Sequence, residues 1–327
     1  LHYPLRRQRQ MCIRDRKKTF HGGTMGVNIS GIDVIPAVPD TRKNYSQQWG
    51  YSDIENEFGM AKAEYDLTRD WKAYAGLGAQ HGHETGVYSA PKLINANGDA
   101  TVGRLDTNRI IDAFSGMAGL EGKFTTWAVS HRVNVGYSAQ IKRDKTAWRM
   151  SANNPTTNIY DNHDVAIPDN AYFGGNYSDP LTTARNRTQG WLFSDTLGFF
   201  GDRVLLTAAA RHQKVVVRNY SNATGLEDTA SRYTQSRWMP TFGLVYKPWE
   251  TVSLYANHTE ALQPGGIAPK EAANFGQSTG IARSKQNEVG VKVDFERVGG
   301  SLALFEIKKP ATMIDSNNYY TLNAFNV

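Results

Sequence analysis

From Glu55 onward, apolar and polar residues alternate with a period of two over one stretch after another. The clearest case is Trp238–Leu262. There Val252, Leu254 and Ala256 fall on one side, and Ser253, Tyr255 and Asn257 on the other. That period marks a β-strand with one apolar and one polar face. A preceding run ends in Phe242, Leu244 and Tyr246, and Lys247-Pro248-Trp249-Glu250 supplies a tight turn between the two. Pro248 begins that turn, where its missing N–H harms no ladder.

The same unit of strand, short turn, strand and long polar loop recurs along the chain. Ala61, Ala63 and Tyr65 alternate with Lys62 and Glu64, and Ala73, Ala75, Leu77 and Ala79 return after a turn at 66–70. A polar loop is expected over His81–Asn108. Ile110–Phe124 pairs with His131–Arg143, in which Val133, Val135, Tyr137, Ala139 and Ile141 oppose Asn134, Gly136, Ser138, Gln140 and Lys142. The longest loop is expected at Asp144–Arg187. Thr188–Phe199 pairs with Val204–Asn219, then come loops at Tyr220–Gln235 and Gln263–Arg283. Ser284–Phe295 pairs with Ser301–Lys309, and Tyr319–Val327 begins one more strand.

Short turns strictly alternating with long loops are the habit of outer-membrane barrels. A soluble β-sandwich binding module would also alternate apolar and polar residues. These strands, however, run well past the usual length of about 5–6 residues, as a tilted bilayer crossing requires. Open edges cannot sit in lipid, so such strands belong to a closed structure. The expected fold is therefore all-β: a partial antiparallel outer-membrane β-barrel, with about 10–11 strands of a larger one. A mean hydropathy of −0.52 argues only against membrane helices. The 16 Tyr and 7 Trp suit interfacial girdles, although both are also good strand residues.

Charge changes the picture at one end only. Arg6, Arg7, Arg9, Arg14, Arg16, Lys17 and Lys18 oppose the single Asp15, which accounts for the whole formal charge of +6. Residues 1–18 also lack a strand period and a signal-peptide core, so they are set apart as a non-native or disordered basic head, and 19–327 as the barrel. Thr19–Asp53 reads as loop. With the body balanced, no basic stripe remains to bind nucleic acid. The only cysteine, Cys12, lies in the head, which excludes a disulfide framework or a cysteine-based site in the body.

Ordered segments across most of the chain carry a resemblance. They include Asn44-Tyr45 through Trp49-Gly50-Tyr51-Ser52-Asp53, Phe58-Gly59-Met60, and Ser194-Asp195-Thr196-Leu197-Gly198-Phe199. Asp202-Arg203-Val204-Leu205-Leu206-Thr207, Val252 to Asn257 with Glu260-Ala261-Leu262, Glu288-Val289-Gly290-Val291-Lys292 and Leu302 to Ile307 continue it. Residues 36–327 resemble the barrel of bacterial TonB-dependent siderophore receptors, in the ferric-hydroxamate, ferrichrome-type branch. The resemblance implies a barrel of about 22 strands around a plug. It also implies a ferric siderophore as cargo, outer-membrane lipid around the barrel, and energy from the TonB–ExbB–ExbD complex. The stretch given holds no plug or TonB box and about half the strands, so it is expected to be a barrel fragment that cannot by itself close or couple to TonB.

Candidate chemistry is sparse. His81-Gly82-His83-Glu84 puts two imidazoles and a carboxylate near one another, a weak metal signal that a solvated loop explains better. Gly76, Gly78 and Gly82 do not have dinucleotide-motif spacing, and no nucleophile elbow, phosphate loop or paired-histidine zinc motif occurs. No enzyme, cofactor or resident metal is expected. Trp148, Tyr160, Tyr172, Phe173, Tyr177, Tyr220 and Tyr233 stand in or beside polar loops and are the candidate ligand contacts. Aromatic walls with a few placed polar groups suit a bulky chelate whose own oxygens already hold the metal. The expectation is an outer-membrane ferric-siderophore receptor; a passive pore is the alternative within the same fold.

Overall fold

The computed structural model describes residues 7–34, 36–40, 42–152, 154–295 and 297–326, with the side chains of 7–13 and 324–326 excepted. The strands are β1 (Arg7–His21), β2 (Tyr51–Asp66), β3 (Trp71–Leu93), β4 (Asp99–Thr126), β5 (Val129–Ser151), β6 (Thr156–Asn158), β7 (Asn170–Gly174), β8 (Thr182–Phe199), β9 (Val204–Tyr220), β10 (Glu227–Trp249), β11 (Val252–Pro264), β12 (Ile281–Phe295), β13 (Val298–Ile314) and β14 (Tyr320–Asn326). All lie in one sheet. Its path runs from β1 to β14 in chain order, with β8 beside β5; β6 pairs with β4 and β7 with β5. Every pairing between these strands is antiparallel.

The period of two governs this sheet. Unbroken register links Leu77 to Gly116, Gly116 to Ala139, and Ala139 to Gln189. It likewise links Phe193 to Ala210, Ala210 to Pro240, Leu244 to Ala256, Ala256 to Val289, and Val289 to Leu304. One face thus collects Leu77, Phe114, Val135, Ile141, Trp191, Phe193, Phe242, Leu244, Leu254, Val289, Leu302 and Leu304, and all of them are exposed. No second sheet covers this row among the described residues, so the sandwich alternative fails on its first requirement, a shared apolar interior. A bare apolar face of this extent is the outer surface of a membrane barrel.

Aromatics bound that face on two levels. At the short-turn end stand Trp71, Phe124, Trp127, Phe200, Tyr246 and Trp249, all exposed. Toward the long loops Tyr137 meets Trp191 at 5.0 Å, and Phe193 and His212 approach Trp238 at 6.4 and 4.9 Å. Tyr246 and Trp238 lie eight residues apart on β10, roughly 26 Å along the strand. At a tilt of about 40° that is on the order of 20 Å of height, close to the apolar band of an outer-membrane barrel.

The opposite face is polar and internally paired. Lys62 and Lys72 hold Glu64 at 2.6 and 3.1 Å, and Lys72 also holds Glu121 at 3.0 Å. Tyr74 donates to Asn134 at 3.1 Å, and its ring lies where Gly119 and Gly136 leave room; a Cβ on either would overlap its hydroxyl. The turn at 200–203 needs backbone that β-strands avoid: Phe200, Gly201 and Asp202 have φ of 53°, 64° and 64°. Asp202 accepts from Ser130 at 2.6 Å and from Arg132 at 2.6 Å, which ties this turn to the neighbouring β4–β5 turn.

Two expectations change. Strands reach much further into the polar stretches than the alternation indicates: β3 and β4 meet across 94–98, and β5, β8, β9 and β10 extend into the supposed loops. Above a bilayer both faces of a strand meet water, so the backbone ladder continues after the apolar row has stopped. With β1, β6 and β7 added, the described residues form 14 strands rather than about 10–11. The basic head is the second. Residues 7–18 run in β1, paired to β2 from Arg7↔Tyr65 to His21↔Tyr51. Backbone groups alone make such a ladder, so absence of side-chain period does not forbid it. Residues 1–6 lie outside the described residues.

The two faces predict opposite responses to charge. Phe242→Arg, midway between Tyr246 and Trp238 on the apolar face, should cost about 2–4 kcal/mol in denaturant unfolding of the membrane-reconstituted protein. Thr241→Arg, on the polar face, should cost less than about 1 kcal/mol. Equal costs at both positions would contradict the assignment of faces.

Candidate functional site

Beyond the upper aromatic level, β3, β4 and β5 rise furthest, and loops from 22–50 and 152–181 fold onto them. Isolated bridges Thr24↔Ser89 and Asn28↔Lys92 lay the first of these alongside the end of β3. Gln47, fully buried, donates to Asn162 and to the His163 carbonyl at 3.1 and 3.2 Å and accepts from the Val165 amide at 2.8 Å. Trp49 donates to the Val165 carbonyl at 3.1 Å. One long loop is thereby fastened to the other.

Trp148 pairs with Thr107 on β4 and with Gly174 on β7. A Cβ at Gly174 would overlap its indole, so this glycine makes space for the ring. Tyr172 pairs with Met150, which pairs with Leu105, and Leu105 with Tyr88. Register therefore puts Tyr88, Leu105, Trp148, Met150 and Tyr172 on one face, continuous with the polar face below. Tyr172 and Met150 are exposed. Tyr88 donates to Glu84 at 2.7 Å, its oxygen lies 3.0 Å from the Ser52 hydroxyl, and burial pushes its phenol up from the usual value. Beneath lie Arg109 and Lys142, at 2.8 and 3.1 Å from Asp144. The result is an aromatic and thioether platform rimmed by oriented charges.

The remaining candidates stand elsewhere. Phe173 pairs with Arg149, one residue on from Trp148, and so lies on the opposite face. Tyr177 is on that face too: the Arg149 guanidinium is 4.1 Å from its ring centroid, its hydroxyl donates to the Thr107 carbonyl at 3.1 Å, and its carbonyl accepts from Asn108 at 2.7 Å. Burial raises its phenol. Tyr160 donates to the Ala37 carbonyl at 2.6 Å and packs on the small core of Leu93, Ala100 and Ile159. Tyr220 sits 5.6 Å from Arg185. Tyr233, whose hydroxyl is buried, is pushed up to about 12 by that burial. The structure thus gathers Trp148 and Tyr172 and disperses the other five.

His81 and His83 do not converge. His81 faces Asp112 at 2.8 Å, and His83 faces Asn108 at 2.9 Å. Among the described residues no group of three or more His, Cys, Asp or Glu could hold a metal ion.

The sequence reading offers Glu84 only as a weak metal ligand and does not single out Tyr88, Met150 or the clamp at Asp106. This carboxylate is 2 % exposed. It accepts from Arg104 at 2.7 and 3.0 Å and from Asn170 at 2.7 Å, while Arg104 also donates to the Pro168 carbonyl at 3.3 Å. The signal was present: Arg104 and Asp106 sit two apart, so on a strand they share a face. An expected loop over His81–Asn108 hides it, because a loop has no defined faces.

Removing Asp106 strands Arg104, and an uncompensated buried charge costs on the order of 3 kcal/mol. Asp106→Ala should therefore release the 152–169 segment, seen as at least fivefold faster cleavage there in limited proteolysis. The paired replacement Arg104→Met with Asp106→Leu should restore much of the protection. Cleavage at the unmodified rate in the single variant would mean the clamp holds nothing.

Comparison with known proteins matches residues 15–324 to the family described as "TonB dependent receptor-like, beta-barrel". The chain is 43% identical over 311 residues to the ferrichrome receptor FcuA of Yersinia enterocolitica, covering 93% of this chain and 40% of that protein. It is 24% identical over 306 residues to the metal-pseudopaline receptor CntO of Pseudomonas aeruginosa, covering 91% of this chain and 41% of that protein. The crystal structure of BauA, the ferric preacinetobactin receptor of Acinetobacter baumannii, superposes with a TM-score of 0.77 at 27% identity, over 97% of this chain and 47% of that one. The chain thus spans about two fifths of the length of the curated relatives it matches.

Proposed function

The chain belongs to the TonB-dependent receptor β-barrel family, and from that premise we propose that it forms part of an outer-membrane receptor for ferric siderophores. The observation that carries this reading is the 43% identity to a ferrichrome receptor, spread over 93% of the chain rather than confined to one motif. A ferric hydroxamate is accordingly the cargo class of choice. Energy for its passage comes from the TonB–ExbB–ExbD complex, and the surrounding medium is outer-membrane lipid. A passive pore is the weaker reading, since the whole barrel stretch matches receptors.

The geometry suits this cargo. A siderophore completes the coordination of its iron, so the protein has to recognise the outside of a bulky chelate. Trp148, Tyr172 and Met150 offer apolar contact area, and Tyr88, Glu84 and Arg109 supply directed polar groups on the same face. Such a site needs no protein ligand to the metal. Tyr160 and Tyr177 serve by holding the loops over it. Phe173, Tyr220 and Tyr233 stay as contacts only for a ligand that reaches past the platform.

The test is equilibrium binding of ferric hydroxamates to the full-length receptor in detergent. Trp148→Ala should weaken binding by about tenfold, equivalent to about 1.4 kcal/mol, and Phe173→Ala, on the other face, should leave it within about twofold. Absence of saturable binding for hydroxamate, catecholate and carboxylate chelates alike would sink the proposal.

A further inference from the structure

The β3–β4 hairpin ends in the turn Asn95-Ala96-Asn97-Gly98, closed by the Ile94 amide on the Asp99 carbonyl at 2.8 Å. Gly98 has a φ of 91°, a left-handed conformation that favours glycine. Asn97-Gly98 is the one Asn-Gly pair in the sequence. Such a pair can lose its side-chain amide without an enzyme, because the backbone nitrogen of the second residue can attack the carboxamide carbon of the first. A side chain on the second residue hinders that approach, and glycine has none. Asn97 is exposed to water.

The neighbouring asparagines are held. Asn95 donates to the Asp99 carboxylate at 2.8 Å and accepts from the Asn97 and Asp99 amides at 2.9 and 3.3 Å. Asn158 donates to the Asn97 carbonyl at 3.1 Å and to the Asp99 carboxylate at 2.9 Å, and accepts from the Tyr160 and Asp161 amides at 2.9 and 3.3 Å. Asn162 donates to the Ser46 carbonyl at 2.9 Å and accepts from Gln47 at 3.1 Å. Among the described residues, the Asn97 carboxamide and the Gly98 N–H have no such partner. Both reacting groups are therefore free to meet.

The main chain at this turn is also an anchor. The Gly98 carbonyl accepts from the Ile159 amide at 2.9 Å, and the Asn97 carbonyl accepts from Asn158. A Cβ at Gly98 would overlap the Tyr160 ring, so that ring rests on the bare glycine. The pairing of β6 with β4 begins next door, at Asp99↔Asn158. Tyr160 then holds the Ala37 carbonyl and Asn162 the Ser46 carbonyl. The turn thus fastens residues 156–162, and they fasten the 22–50 loop.

We propose that Asn97-Gly98 is a site of spontaneous, water-driven deamidation that releases residues 156–162 from the hairpin. The Gly98 nitrogen gives its proton to solvent base and bonds to the Asn97 Cγ. The Cγ–Nδ2 bond breaks, and that nitrogen takes a proton from water and leaves as ammonia. The product is a succinimide ring. Water then opens the ring, adding hydroxyl to one ring carbonyl carbon and returning a proton to the Gly98 nitrogen. Opening at Cγ gives aspartate; opening at the main-chain carbonyl carbon gives isoaspartate. No electron is transferred, and the sum is an amide and water giving an acid and ammonia. In isoaspartate the chain runs through Cβ and Cγ and is one bond longer. The former Asn97 carbonyl becomes a free carboxylate beside Asp99, and Gly98 is displaced from beneath Tyr160. The inference does not depend on which ligand the loops cover.

The test ages the full-length receptor in non-ionic detergent and heavy-oxygen water, and maps its peptides by mass spectrometry with fragmentation that separates isoaspartate from aspartate. Asn97 should convert about tenfold faster than Asn95, Asn158 or Asn162, since only it precedes a glycine. The product should carry heavy oxygen, and conversion should quicken as pH rises, because the attacking nitrogen must lose its proton. Limited proteolysis within 156–162 should become about fivefold faster in the aged protein, as expected of a segment that opens more often. Asn97→Gln, which would have to close a larger ring, should show neither change. Freshly prepared Asn97→Asp, with the added charge but the normal chain, should be cleaved as the fresh parent is. Conversion at Asn97 no faster than at the three neighbours overturns the proposal. So does conversion that leaves cleavage unchanged, or an Asn97→Gln variant whose cleavage quickens with age as the parent's does. Rapid cleavage of fresh Asn97→Asp would assign the release to charge and overturn the role of the lengthened chain.

Discussion

Everything in this molecule answers to one constraint: a backbone crossing hydrocarbon must find all its hydrogen-bond partners within the protein. A strand cannot do so alone, so each of the long strands is paired along its length with the next. Once the ladder is fixed, side chains have only two directions. Those on one side meet lipid and those on the other meet the lumen, and the faces cannot trade residues without slipping the register by one. Leu244 facing out and Ser253 facing in follow from that single condition.

The polar face shows how a lumen surface can be ordered without an apolar core. Lys62, Glu64, Lys72 and Glu121 form a chain of ion pairs across three strands. Partial exposure makes each pair worth little by itself. Their use is in fixing long side chains so that the wall has a shape. Tyrosine over glycine does the same with packing: Tyr74 covers Gly119 and Gly136, and Tyr255 covers Gly290 while donating to Glu288 at 2.6 Å.

At the long-loop end the same two-sidedness divides the work. One face presents Trp148, Met150 and Tyr172 toward the lumen, and the other carries Arg149, Tyr177 and, lower down, the directly paired Arg143 and Arg185. Consecutive residues such as Trp148 and Arg149 therefore face different surroundings, the lumen inside and the Tyr177 ring outside. The clamp of Arg104, Asp106 and Asn170 couples the faces by holding the loop that supplies β7. A buried, fully paired carboxylate is a costly way to secure a loop, but it sets where Tyr172 stands.

Much of this was legible before any coordinates. Val133 to Ile141 and Val252 to Asn257 declared their strands, faces and membrane-barrel character, because a period of two is a local property and the apolar row must show wherever lipid touches it. The short turns came from the same pattern and stand as expected at 67–70 and 200–203, whereas the turn expected at Lys247–Glu250 falls at 250–251, with Pro248 still in β10. What the sequence could not determine was how far strands continue beyond the lipid, since Asp99–Arg109 shows no continuous apolar row and its strand is revealed only by pairing with β3, β5 and β6. Nor could it decide which loop aromatics meet. Trp148 and Tyr172 are brought together, and Tyr160 and Tyr177 sent elsewhere, by the pairing of β7 with β5, and by a glycine that admits an indole. Those are contacts between distant parts of the chain, and only the folded sheet fixes them.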